Sequence, residues 1–319
     1  MSDESFDHHG LLPPLAAAPR EFDSWSRERL LVEQRESTPT GPLYHYTRDA
    51  SLRAILGGQQ LRHFSHLHQS DKTEFEYALA IARRVIQDIG ASDDFFTRHF
   101  CACLDDMLEV NSLAGPFEFY LFSYSRHRDH GPQWLAYGDG GRGVAVGFAA
   151  SLFQPNKDDL YEEANRNLHI GRVLYGDEAT VARHRLTIEH AAEITSRIGQ
   201  AHVGAVREAP PSHYFAAMAR ELLASQLVWN CLTAKHECYA DEREVRGIIM
   251  NVKAKFDPWR RTHDGRQYVE HTLEMKAPGA ISEIIVGPLA PASAEEDLLS
   301  FLREQDYPAI AVVRSTAAL

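Results

Sequence analysis

Two short segments of this chain carry residue types that could do chemistry, at the spacing of a strand. The first is Leu43-Tyr44-His45-Tyr46-Thr47. Side chains alternate between the faces of a strand, so His45 and Thr47 share one face while Tyr44 and Tyr46 share the other. That gives two polar groups for a ligand and two rings for a core, although an ordinary half-buried strand has the same pattern. The second is Asp241-Glu242-Arg243-Glu244-Val245-Arg246. Alternation there puts Glu242, Glu244 and Arg246 on one face. Such a face is either exposed and laced with cross-strand ion pairs, or a site. In a site, a carboxylate at a strand edge can hold a ribose hydroxyl or stabilise positive charge in a transition state.

Other clusters point less sharply. Gly138-Asp139-Gly140-Gly141 has the composition of a phosphate loop but not the GxxxxGK[ST] pattern, and a tight turn is the simpler reading. Trp134 and Tyr137 are three apart, so one helical turn sets both rings on one side, either in a core or stacked on a planar ligand. His63, His66, His68 and Asp71 could ligate a metal. With 17 histidines in the chain such clusters arise by chance, and no metal is assigned. Cys101-x-Cys103 sits in a helical pattern and reads as packing. No GxSxG elbow or HExxH helix occurs, which argues against serine hydrolases and zinc proteases.

These residues must be positioned by a chain of 319 residues that is 44% hydrophobic and carries a net charge of −12. An acidic chain is a poor non-specific binder of nucleic acid, though a local basic patch is compatible with it. The four cysteines form neither CxxC pairs nor a disulfide framework. The N-terminus has no basic and apolar leader, and no apolar run is long enough to span a bilayer, so the expectation is a reduced, cytoplasmic protein with no membrane partner. Residues 1–40 read as a loose tail and a surface helix over 21–36. Residues 41–319 read as a single α+β domain with a helical middle at about 150–230. Strands are predicted at Leu43–Tyr46, Gln60–Phe64, Phe117–Ser123, Val144–Phe148, Val173–Tyr175, Val245–Val252, 266–276, Ile281–Val286 and Ala309–Val313. A helix capped by Thr47 or Asp49 and ended by Gly57-Gly58 separates the first two.

Taken in order, Tyr44-His45-Tyr46-Thr47, Ser70–Phe75, Gln133–Gly138, Gly141–Val144, Asp241–Arg246 and Ile284–Pro288 resemble a bacterial family catalogued as domain of unknown function 2971, over roughly residues 43–290. One departure is Ser70 before Asp71, where that family usually has asparagine. More distantly, the His-x-Thr opening, the helix after it and the late glutamate strand resemble the ADP-ribosyltransferase superfamily, in particular its branch acting on nucleic acids. That resemblance implies a split antiparallel β-sheet core with a large helical side, binding NAD as substrate between two small sheets. It further implies an ADP-ribosyltransferase or NAD glycohydrolase, with a role as toxin or anti-phage effector, acting on an unknown protein or nucleic-acid acceptor. Glu244 would be the catalytic carboxylate, with Glu242 as second choice or acceptor-orienting group, and His45 would hold the nicotinamide ribose. Thr47, Tyr46 and Asp71 would add contacts, Trp134 or Tyr137 would stack on nicotinamide, and Arg142 or Arg246 would meet the pyrophosphate. The alternatives are a non-catalytic nucleotide-binding module on the same fold and a metal-assisted phosphodiesterase or nuclease using the histidine cluster.

Overall fold

The computed structural model describes residues 10–68, 73–108, 117–153, 168–208 and 211–319. In chain order the first half runs α1 (Ala17–Ser37), β1 (Leu43–Thr47), α2 (Asp49–Gly58), β2 (Gln60–Ser65), α3 (Thr73–Gly90), α4 (Phe95–Met107), β3 (Phe117–Ser125), α5 (Gly131–Ala136), β4 (Val144–Phe148), β5 (Leu168–Arg172) and β6 (Leu174–Tyr175). There follow α6 (Asp177–Ala201), α7 (Val203–Glu208), α8 (Pro211–Leu222), α9 (Val228–Leu232), β7 (Ala234–Lys235), β8 (Glu244–Val252), α10 (Lys253–Phe256), β9 (Arg261–His263), β10 (Arg266–Thr272), β11 (Ile281–Val286), α11 (Ala294–Glu304) and β12 (Ala311–Arg314). The fold is α+β. It divides into a helical unit, residues 1–33, 70–117 and 174–238, and a sheet unit, residues 34–69, 118–173 and 239–319.

The helical unit packs α1, α3, α4, α6 and α8 around Phe22, Phe100, Ile188, Tyr214, Phe215 and Leu222, all buried. Leu79, Ala82 and Ile86 recur at helical spacing on α3 and face this core, as periodicity requires. Asp94 caps α4 by accepting from the Thr97 amide at 2.8 Å. Leu11, Leu15, Ala16 and Ala18 are also buried, where the sequence suggested a loose tail. Pro13-Pro14 interrupts the periodicity that would have announced them.

The sheet unit holds an open, mostly antiparallel sheet in the order β12-β11-β4-β1-β3-β2-β10-β9, with β8 on β3 and β5 on β8. Only β11–β12 among its described pairs is parallel. β1 is paired along its whole length with β4, from Leu43↔Phe148 to Thr47↔Val144. Its pairing with β3 is confined to Tyr44↔Ser125. β2 meets β3 further along, at Phe64↔Leu121 and Ser65↔Tyr120. Backbone groups of alternate residues address opposite edges of a strand. The Arg126 amide donates to Arg243 O at 3.2 Å, which sets β8 on the edge addressed by Tyr124 and Arg126. β1 and β2 therefore both lie along the other edge, and they part company around Ser123. α2, the link between them, buries Leu52 and Leu56 in the core of this unit with Leu43, Phe122, Val146 and Phe148.

Candidate functional site

The fork between β1 and β2 opens a pocket of about 400 Å³. His45 and Thr47 line it from β1, Ser51, Ala54 and Ile55 from α2, Gln60, Arg62 and Phe64 from β2, and Leu121, Phe122 and Ser123 from β3. His263 and Glu270 complete the wall. Its volume and mixed lining are those of small-molecule sites, which combine apolar walls with a few convergent polar groups.

His45 sits where the strands diverge. The Ser123 carbonyl addresses the edge that neither β1 nor β2 pairs at that point, and His45 Nδ1 lies 3.1 Å from it. A carbonyl only accepts, so Nδ1 carries the proton and Nε2 is the acceptor of the neutral ring. Burial pushes the His45 pKa down to about 4, against a smaller upward pull from the Ser123 carbonyl. At neutral pH the pocket therefore presents an imidazole acceptor, not a cation. The ring packs on Phe122, centroids 4.3 Å apart.

Glu270 is the carboxylate of this pocket. It lies opposite Arg62 in the β2–β10 ladder, with its Oε1 3.6 Å from Arg62 Nε. The Arg62 guanidinium lies 4.9 Å from the Tyr268 ring centroid, and that of Arg266 lies 4.3 Å from Phe64. The sequence marks β2 and β10 but not their register, which leaves Arg62 and Glu270 unread, and it does not mark β9, which carries His263. Arg62-x-Phe64 and Tyr268-x-Glu270, each an aromatic two from a charge, were the available signal.

The other residues singled out from the sequence lie elsewhere. Glu244 and Arg246 form a buried ion pair within β8, 4% and 6% exposed, at 2.8 and 3.1 Å. A Cβ at Gly247 would point at Tyr124 and His63, so the odd-numbered residues of β8 share the Tyr124 face. Phe122 shares that face, and His45 packs on it. Glu244 thus lies across β3 from His45, on the opposite face, and does not line its pocket. Tyr46 is buried, its hydroxyl donating to His127 O at 3.0 Å and accepting from the His130 amide at 3.1 Å. Trp134 is fully buried edge-on to Tyr46, with Nε1 on Asp129 Oδ1 at 2.6 Å, so its ring has no face left for a ligand. Tyr137 is exposed and donates to Glu242 Oε1 at 2.8 Å. Arg142 is exposed, 3.5 Å from Asp139, beside a smaller pocket of about 180 Å³. Asp71 lies outside the described residues. His63 and His66 are buried, and among the described residues no group of three or more His, Cys, Asp or Glu side chains is placed to hold a metal.

The glycine turn spells G-x-G-x-x-G over Gly138, Gly140 and Gly143. It follows a short helix and enters a strand, the reverse of a dinucleotide loop. Four of its amides are already spent: Gly138 donates to Gln133 O and Trp134 O, Gly141 and Gly143 donate to Gly138 O, and Arg142 donates to Asp139 O. Its carbonyls receive Gly287 and Leu289. The glycines are there for close backbone approach, not for phosphate.

Residues 133–247 match the family described as "Protein of unknown function (DUF2971)". Neither the curated proteins nor the solved structures yield a match. The DUF2971 segment contains Trp134, the glycine turn and the Glu244–Arg246 pair, and excludes every residue lining the His45 pocket. No helix among the described residues is long and apolar enough to cross a membrane.

Proposed function

We propose that the pocket at the β1–β2 fork binds a ribose-bearing nucleotide, with NAD the first candidate, and that the protein cleaves the nicotinamide–ribose bond. The observation that carries this is the fork itself. Ser123 fixes the His45 tautomer so that Nε2 accepts from a ribose hydroxyl, beside Thr47 and within a pocket bounded by Phe64, Phe122, Arg62 and Glu270. Strands that diverge around one histidine also suit the split-sheet core of the ADP-ribosyltransferase type. Arg62 is the phosphate-binding group and Phe64 a ring wall.

In the reaction, the C–N bond breaks with its electron pair leaving on nicotinamide. The ribose carbon gains oxocarbenium character, and the oxygen or nitrogen of an acceptor, or water, forms the new bond and gives up its proton. A carboxylate lowers the energy of that cation. Glu270 takes this role here in place of Glu244, because it shares the pocket with His45. A role as toxin or anti-phage effector is compatible with NAD consumption and belongs to the same proposal.

A second reading has its own observation. Glu270 already lies against Arg62 and Glu244 against Arg246, as suits a nucleotide-binding module without turnover. Calorimetry with NAD and release of labelled nicotinamide, with and without cell lysate, separate the two. Binding that is lost in His45→Ala, with turnover that is lost in Glu270→Gln, supports cleavage. Binding without turnover supports the module, and no binding refutes both.

A further inference from the structure

The pocket opens onto one face of the outer strands β2, β10 and β9. Their register fixes what that face displays. Arg62 pairs with Glu270, Phe64 with Tyr268, Tyr268 with Arg261, and Arg266 with His263. Directly opposed residues of an antiparallel ladder share a face. One face therefore carries Arg62 and Phe64, Tyr268 and Arg266, and Arg261 and His263, with Glu270 the carboxylate among them. Arg62, Arg261 and His263 are exposed. Two of the guanidinium groups lie over the two rings, Arg62 over Tyr268 and Arg266 over Phe64.

We infer that this sheet face docks single-stranded nucleic acid, which presents a nucleotide to the pocket as acceptor. The first argument is charge. In a chain of net −12, this face sets three guanidinium groups against Glu270, with Asp264 3.4 Å from His263 at its edge. The second is shape. Single strands are held by backbone phosphates on basic side chains and by bases stacked on aromatic rings or guanidinium planes. A sheet face with the Arg62 guanidinium over Tyr268 and that of Arg266 over Phe64 offers guanidinium planes on which bases can stack. A duplex keeps its bases stacked on each other and gains only the charge term. The third is continuity, since Arg62, Phe64, His263 and Glu270 belong to both the face and the pocket wall. Docking needs only this face, whereas its role in supplying an acceptor rests on the proposed cleavage of the nicotinamide–ribose bond.

The test is fluorescence anisotropy with labelled single-stranded DNA and RNA of about 12 nucleotides, and with the matching duplex, between about 50 and 200 mM salt. The single strands are expected to bind more tightly than the duplex. Arg261→Gln and the Arg261→Gln/Arg266→Gln pair are the variants, since both positions lie outside the pocket wall. The pair should weaken single-strand binding by about tenfold or more and reduce the salt slope by roughly 1.4, at about 0.7 per phosphate contact. Arg261→Gln alone, at an exposed site, should give about half that change in slope and keeps the test open if the pair unfolds. Absence of single-strand binding at the lowest salt, equal binding by the variants, or full competition by polyglutamate would each overturn the inference. NAD binding, measured separately by calorimetry, shows whether a failure lies in this face or in the pocket.

Discussion

Glu244→Gln separates the two roles that a glutamate on β8 could have. Glu244 and Arg246 are 4% and 6% exposed and joined by hydrogen bonds of 2.8 and 3.1 Å. The substitution keeps the volume and one acceptor oxygen but removes the negative charge held against the buried Arg246 guanidinium. Removing one partner of a buried pair costs about 3–5 kcal/mol, whereas replacing both with groups of similar volume is close to neutral. Glu244→Gln should therefore lower Tm by on the order of 5–10 °C for a chain of this size. Adding Arg246→Met should restore most of that loss. Urea unfolding followed by circular dichroism gives the stabilities; with the Arg246→Met single variant added, the three variants form a cycle with wild type whose coupling term should exceed about 2 kcal/mol. Nicotinamide release measured on the folded fraction should change little, since the pair lies across β3 from His45. The reasoning is refuted if Glu244→Gln unfolds within about 1 kcal/mol of wild type and yet abolishes release. In that case Glu244 acts on substrate, and the structural role assigned to the pair is wrong.

Three further predictions follow from the same geometry. His45 has a pKa of about 4 in the folded protein against the ordinary 6.5, so below 6.5 the unfolded chain takes up a proton that the folded one refuses. Its contribution to stability is complete above pH 6.5 and is lost as pH falls toward 4, at no more than about 1.4 kcal/mol per pH unit. His45→Gln should flatten that window, and an imidazole titration by NMR with a midpoint near 6 or above would contradict it. Trp134→Ala should cost about 3–5 kcal/mol through the cavity it leaves while NAD affinity in the folded protein is retained. A loss of affinity at unchanged stability would restore Trp134 as a ligand contact. Gly143→Ala should destabilise by about 1–3 kcal/mol or more, because the new Cβ would lie 2.2 Å from Thr47 O and 2.9 Å from Gly138 O. An unperturbed melting curve would show that the turn tolerates a side chain.

Much of the sheet was legible because its strands announce themselves by alternation and bounding turns. β1, β4, β8 and β11 are rich in β-branched and aromatic residues, and each is found where the pattern put it. β5 and β9 were missed for the opposite reason. Leu168-His169-Ile170-Gly171-Arg172 contains a glycine, and Arg261-Thr262-His263 has no apolar residue to bury. The second omission mattered most, because β9 brings His263 to the pocket. The alternation argument also foretold that His45 and Thr47 share a face, as the pocket lining has it. What alternation within a strand does not contain is register between strands. Whether His45 faces Glu244 or Glu270 depends on which strand lies beside which, and on which edge of β3 each lies.

This difference also explains why the residues that carried the family resemblance are largely not those of the pocket. Trp134 fills a core against Tyr46, Gly143 allows the turn to touch Thr47, and Glu244 neutralises Arg246 inside the sheet. Each sits in a tight environment that admits few side chains, and each lies within residues 133–247. The pocket wall, by contrast, is assembled from β1, α2, β2, β3 and the β9–β10 hairpin, none of them in that segment. Thr47 is the point of contact between the two sets, with its side chain in the pocket and its carbonyl under Gly143. A scaffold that grips β1 through backbone contacts leaves the pocket side chains free to vary without loss of fold. On the proposed nucleotide-binding reading, ligand choice in related chains is to be sought at Arg62, His263 and Glu270, and stability in the DUF2971 segment. Exchanging the β9–β10 hairpin for that of a related chain should change ligand preference while leaving the melting temperature within a few degrees.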